Sequence, residues 1–133
     1  MKSFRHPGLW LGVWLALLLA VVVLSLAPPP PTPDVPQGDK WQHLLTYAGL
    51  ALVAVQIFRP GRALALAAAA TVLLGIGLEV AQGTLTTDRM MDWRDALANT
   101  AGVALGTASV LLPVRDVLLR WDAVDRASAG GPR

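Results

Sequence analysis

The sequence predicts an all-α membrane protein: an antiparallel bundle of four transmembrane helices, both termini cytoplasmic, with a short amphipathic cytoplasmic tail. Three observations predict it. Charged residues make up only 15% of the 133, against about a quarter in a typical soluble domain, and the mean hydropathy is +0.52. The charges are gathered into short segments between long uncharged runs. Each of those runs approaches the roughly 20 residues that a bilayer core requires. Backbone polar groups in lipid need internal partners, so the runs read as helices. No period-two alternation of apolar and polar residues is present to support barrel strands.

Residues 1–7 form a cytoplasmic N-terminus carrying Lys2 and Arg5, and residues 8–27 are a first span without a charge. Ser25-Leu26-Ala27 looks like the small-residue cleavage site of a signal peptide, but Pro28 would follow the cut, so a retained anchor is expected. Residues 28–40 are a proline-rich outer linker, extended and stiff in the polyproline manner. The second span is 41–58, with Asp39 as a candidate cap for its helix. Arg59-Pro60-Gly61-Arg62 is a tight turn into the third span, 63–83. A polar outer loop, 84–95, ends in Asp92-Trp93-Arg94-Asp95, where aspartates suit the positive end of a helix dipole. The fourth span is 96–113. Its Ala98, Gly102 and Gly106 recur every four residues, a spacing that lets another helix approach closely. In the tail, 114–133, Val117, Leu118, Trp121 and Val124 share one side, as in a helix lying on a membrane surface.

Orientation follows from the basic residues. With four spans, Lys2, Arg5, Arg59, Arg62, Arg115, Arg120, Arg126 and Arg133 share a side, and only Lys40, Arg89 and Arg94 face the other, eight against three. Positive residues mark the cytoplasmic side. Asp34, Asp39, Asp88, Asp92 and Asp95 fall outside. The net charge of +2 therefore covers two opposite faces, and it gives no reason to expect nucleic-acid binding. There are no cysteines, so disulfides and thiolate metal sites are excluded.

The costliest residue is Glu79, near the outer end of the third span. A carboxylate in a transmembrane helix costs about 2.5–3.5 kcal/mol at the bilayer centre and less near an interface. Such a residue calls for a partner or a task. Asp39, His43 and Tyr47 descend the second helix at intervals of four, on one drifting face. Glu79 and Gln82 lie near the outer end of the third, with Glu79 roughly 6 Å below Gly83 at ~1.5 Å per residue. Asp92, Asp95 and Asn99 occupy the first two turns of the fourth, and Arg89 the loop before it. Three helices and one loop thus bring polar groups to one level, while the inner halves of those helices carry almost none. The expectation is a polar pocket open to the extracytoplasmic side, with Glu79 paired to His43, Arg89 or Lys40. Each member also has a plainer role available: the aspartates as caps, His43 at the headgroups, Asn99 and Gln82 as interhelical hydrogen-bonding residues, Tyr47 in packing.

Three segments here are similar to those of the VanZ-like family. Asp39-Lys40-Trp41-Gln42-His43-Leu44-Leu45-Thr46-Tyr47 resembles its Asp-Lys-x-x-His-x-x-x-Tyr opening. Gly75 to Gln82 resembles its Gly-x-x-x-Glu-x-x-Gln segment, and Arg89 to Gly102 its Arg-x-x-Asp-x-x-Asp-x-x-x-Asn-x-x-Gly stretch. The likeness covers 39–113 as a domain. It implies a small multi-pass protein of the bacterial cytoplasmic membrane, a family whose namesake is associated with low-level teicoplanin resistance. The proline-rich linker and the short polar loop between Gln82 and Arg89 depart from the family pattern.

Three functions follow as expectations. In the first, an outer pocket built from Asp39, Lys40, Tyr47, Gln82, Arg89, Asp92, Asp95 and Asn99 binds a lipid headgroup or envelope intermediate and alters how lipoglycopeptides reach their target. In the second, Glu79 or His43 is a general base and Arg89 or Lys40 stabilises a phosphate or oxyanion; the substrate is a lipid or lipid-linked sugar. In the third, the polar cluster is an internal staple and Ala98, Gly102 and Gly106 form a homo-oligomer interface. No cofactor is expected; a histidine with carboxylates can bind a divalent metal, but one candidate histidine without cysteine argues against a tight zinc site.

Overall fold

A computed structural model describes residues 1–28, 37–86 and 91–129, and the side chains of all of these up to 123. The described residues are helical, without strands: α1 (Pro7–Leu26), α2 (Gly38–Ile57), α3 (Arg62–Leu85), α4 (Trp93–Ala108) and α5 (Val117–Ala129), with 3₁₀ turns over Ser109–Leu111 and Pro113–Asp116. The proline-rich stretch from Pro29 to Pro36, Arg89 and the side chain of Val124 lie outside the described residues.

Local chemistry sets the boundaries. Pro7 opens α1, where its missing N–H is no loss. Gly61, at φ 123°, makes the turn that reverses the chain into α3. Asp92 caps α4 by accepting the Arg94 N–H at 2.9 Å. The capping aspartate of the second helix was expected to be Asp39; it lies instead inside the first turn of α2, and Gln37 holds the cap position.

Helix directions can be read from the contacts. Lys40 meets Asp95, and further along Leu44 and Ala48 lie against Gly102 and Gly106, so α2 and α4 run side by side in the same direction. Trp14 donates to the Leu50 carbonyl and Gln82 to the Ser25 carbonyl, so α1 and α3 run the opposite way. The α2–α4 pair is the most extensive contact in the molecule. It depends on glycine: a β-carbon at Gly102 would overlap the Leu44 carbonyl oxygen, and one at Gly106 the Ala48 carbonyl oxygen. The close helix approach expected at Gly102 and Gly106 is therefore made by α2 of the same chain, which takes the positions that the structural reading gives to a second copy. Ala98, one turn earlier, is half-buried.

The apolar core lies in two groups. Trp14, Ala54, Val55, Ile57, Leu64 and Ala67 form one, with Trp14 edge-on to Phe58 at 5.4 Å. Tyr47, Leu50, Ala51 and Val103 form the other. Outside them the surface is strongly apolar. Trp14 is the one buried residue of α1, while Leu9, Leu15, Leu19, Val23 and Leu24 stand exposed. A continuous apolar face of this kind marks a surface meant for lipid or a partner.

α1 and α3 are each long and apolar enough to cross a membrane, and α4 with its bent continuation makes up to three. Two of the four expected spans fall short by this measure, for physical reasons. α2 has 20 residues, but its first turns carry Asp39, Lys40, Gln42 and His43. α4 has 16, about 24 Å of rise, before the chain turns by 81° into the segment Pro113–Ala123.

The end where α1 starts and α4 finishes is more polar than expected. Lys2 is buried: its Nζ donates to the Val55 carbonyl at 2.8 Å and to the Arg115 carbonyl, and pairs with Asp116 at 2.9 Å. Asp122 accepts the Arg5 N–H at 2.7 Å and the Trp10 indole N–H at 3.4 Å. Gln56 donates to the Val114 carbonyl and accepts the Leu118 N–H. The N-terminal segment is thus strapped to the tail, whereas the sequence reading lays the tail along the membrane surface and gives the N-terminal segment no partner. The Lys2 ammonium beside Asp116 holds that carboxyl below its ordinary value.

Candidate functional site

At the opposite end, the starts of α2 and α4 and the end of α3 converge. Asp39, Lys40 and His43 come from the first two turns of α2, Asp95 and Asn99 from α4, Asp92 from its cap, and Glu79 from α3. Close approach is built in by Gly75, where a β-carbon would lie 2.9 Å from the Tyr47 ring and 3.1 Å from Asn99 Cβ. Gly83 does the same one turn beyond Glu79, letting Met91 pass over the end of α3.

Lys40 is the hub of the outer layer. Its Nζ lies 3.1 Å from Asp39, 3.0 Å from Asp92 and 3.0 Å from Asp95 Oδ1. The hydrogen bonds that Lys40 donates to Asp95, Asp92 and Asp39 raise its pKa. The Asp39 carboxyl is lowered chiefly by its hydrogen bond with Lys40, and that of Asp92 by the Arg94 N–H and then Lys40.

Beneath it lies an inner layer of His43, Asn99, Glu79 and Tyr47. His43 Nδ1 is 3.0 Å from Asn99 Oδ1 and 3.7 Å from Glu79 Oε1, and His43 Nε2 is 3.8 Å from Asp95 Oδ2. Asn99 Nδ2 donates to Glu79 Oε1 at 3.5 Å. That orientation leaves the Asn99 carbonyl to accept from His43, so Nδ1 carries the hydrogen and Nε2 faces Asp95. Among the described residues, the buried Glu79 Oε2 has no hydrogen-bond partner. Side-chain exposure falls from 60% at Asp39 and 37% at Asp92, through 18% at His43, to 2% at Glu79. The cluster therefore has a wet mouth and a dry floor, with Lys40 between them.

The expected members divide as follows. Asp39, Lys40, His43, Tyr47, Glu79, Asp92, Asp95 and Asn99 come together. Glu79 faces His43, one of its three expected partners; Lys40 bonds the aspartates instead, and Arg89 lies outside the described residues. Gln82 turns away from the cluster and donates to the Ser25 carbonyl of α1 at 2.8 Å, joining helices. The sequence reading leaves a divalent metal on His43 and carboxylates open, disfavours a tight zinc site and assigns no metal residues. Yet His43, Glu79 and Asp95 each present a ligand atom, and these lie within 4.8 Å of one another. Three helices supply them, so no spacing in the chain announces the set. Gln56, Asp116 and Asp122 were also missed as polar anchors, and the one signal for Gln56 was a lone amide in an apolar stretch.

Comparisons with protein-family models, with curated proteins and with solved structures return no match.

Proposed function

We propose that this chain is a VanZ-like multi-pass protein of the bacterial cytoplasmic membrane, with four spans and both termini cytoplasmic, whose outer polar cluster binds the headgroup of an envelope lipid or lipid-linked intermediate. The observation that carries the reading is Glu79. It is a buried carboxyl group with one oxygen unpartnered among the described residues, at the floor of a cluster whose mouth is open. A purely structural staple is better built from neutral groups, which cost less to bury. The eight-to-three bias of basic residues supports placing the strapped ends of the chain in the cytoplasm and the cluster outside. Exposed Trp41 and Trp93 at the cluster end and Trp121 at the other suit the two aromatic belts of a bilayer. α2 and α4 cross beside α1 and α3, their polar ends shielded by each other.

In this reading Lys40 and the rim aspartates contact the headgroup, and Glu79, His43 and Asn99 orient its polar atoms. The test is native mass spectrometry of the protein extracted with its lipids. Wild type retains a headgroup-specific lipid, and Glu79→Gln and Asn99→Ala lose it at equal abundance; identical retention by all three refutes the reading. A membrane-embedded acid–base enzyme is the second reading, favoured by the 3.7 Å approach of His43 to Glu79. It requires turnover of a lipid or lipid-linked sugar that stops in Glu79→Gln. Susceptibility to lipoglycopeptides such as teicoplanin is a downstream effect in either case.

A further inference from the structure

We infer that His43, Glu79 and Asp95 form a binding site for a divalent first-row cation, of the Mn²⁺ or Zn²⁺ type, just beneath Lys40. The ligand atoms of the three lie within 4.8 Å of one another. A cation bonded to nitrogen and oxygen at about 2.0–2.2 Å holds its ligand atoms roughly 3–4.4 Å apart. Small side-chain rotations close that difference.

The hydrogen-bond pattern points the same way. Asn99 spends its amide on Glu79 Oε1 and its carbonyl on His43 Nδ1. His43 Nε2 is then the ring nitrogen turned toward Asp95 Oδ2, 3.8 Å away, and in the neutral imidazole it presents a lone pair there. Two electron-rich atoms at that distance repel unless positive charge lies between them. Histidine ligands to metals commonly have their second nitrogen fixed in this way by a neighbouring acceptor. Lys40 leaves the place free, because it bonds Asp95 Oδ1 and not Oδ2.

Charge and burial supply the second argument. Among the described residues, the cluster sets the carboxyl groups of Asp39, Glu79, Asp92 and Asp95 against the ammonium of Lys40, with the Arg94 charge acting on Asp92 at the rim. Glu79, 2% exposed, keeps Oε2 without a partner among the described residues. A mixed set of one imidazole and two carboxylates, without thiolate, suits Mn²⁺ or Zn²⁺ over softer ions. Three protein ligands leave coordination positions open toward the mouth. There the cation would give an acidic cluster the positive charge needed to hold a phosphate oxygen, a step that rests on the headgroup reading; the cation site itself does not.

The test is titration of detergent-purified protein with Mn²⁺ alone, followed by electron paramagnetic resonance, without added lipid. The expected result is one Mn²⁺ per chain, weakened at least about tenfold in His43→Gln, Glu79→Gln and Asp95→Asn, and unchanged in His6→Ala and Asp116→Asn. Nitrogen couplings in the echo-modulation spectrum of wild type, retained in His6→Ala, identify His43 as a ligand even where the other variants fail to fold. Absence of stoichiometric binding by folded wild type, equal binding by the three ligand variants, or binding without nitrogen coupling overturns the site; in the first case an imidazolium at His43 supplies the charge. Cation binding with no Mn²⁺-dependent retention of phosphatidylglycerol would leave the site standing and count against the headgroup reading.

Discussion

Gly102 of α4 lies directly against the carbonyl of Leu44 in α2, with no room for a β-carbon between them. The contact sets the height of α4 on α2, and with it the register of Asp95 and Asn99 against Lys40 and His43. Gly102→Val is expected to force the helices apart and destabilise the protein by about 1–3 kcal/mol, as overpacking does. Gly77→Ala, inside α3 at a position with nothing within 4 Å, is expected to raise stability by up to about 1 kcal/mol. Unfolding in mixed detergent micelles checks both.

Asn99 bridges His43 and Glu79 and is 1% exposed. Asn99→Ala leaves the His43 N–H and a Glu79 oxygen without their partner. The expected loss is about 1–2 kcal/mol, the range for interhelical hydrogen bonds in membranes. The same unfolding assay reads it, and a variant as stable as wild type would show the bridge to be energetically idle.

The strap at the other end should open in acid. The folded-state pKa of Asp116 is lowered below its ordinary 3.8, first by its hydrogen bond with Lys2. A depressed carboxyl contributes stability that is fully present above the unfolded-state value and is lost as pH falls through the folded one. Docking of the N-terminal segment onto α5 is therefore steady at neutral pH and weakens below about pH 4. Tryptophan fluorescence follows it through Trp10 and Trp121, whose rings meet edge-on at 6.2 Å. Asp116→Asn is expected to weaken docking at neutral pH and flatten the acid transition; an unaltered transition would place it elsewhere.

Topology has a direct test, since the chain contains no cysteine. In intact cells, Gln37→Cys is expected to react with a membrane-impermeant maleimide and Ala63→Cys to react after lysis only. The reverse pattern would put the acidic cluster in the cytoplasm and remove the basis for envelope binding.

Drug susceptibility provides a test in cells. Expressed in a host without relatives, wild type is expected to raise tolerance to teicoplanin more than to vancomycin, and Glu79→Gln at equal membrane abundance to lose the effect. Lack of protection by abundant wild type would count against the proposed effect on lipoglycopeptide access.

Much of this was legible in the chain because bilayer helices are written as long apolar runs. The level of each polar residue follows from its count along a helix, which is why His43, Glu79, Asp95 and Asn99 could be placed together. Facing was less legible. Gln82 lies three residues from Glu79, a spacing that leaves it some 60° around the helix, enough to meet α1 instead of the cluster. The burial of Lys2 was invisible, because a lysine at the start of a chain reads as a solvated charge until a tail 113 positions away supplies its acceptors. A histidine with carboxylates could be read as able to bind a divalent metal, but the particular set of His43, Glu79 and Asp95 could not, because its members belong to three helices and share no motif spacing.

The strap also has a consequence for synthesis. Lys2 cannot find the Arg115 carbonyl until 113 further residues have been made, which takes roughly 6–23 s at about 5–20 residues per second. Through that interval the partners of α1 in the tail are unmade. It is suited to waiting, since Trp14 is its one buried residue and, in the proposed membrane topology, lipid meets the rest. Of the helices which that topology places in the bilayer, α1 buries the fewest residues and so asks least of the rest of the chain.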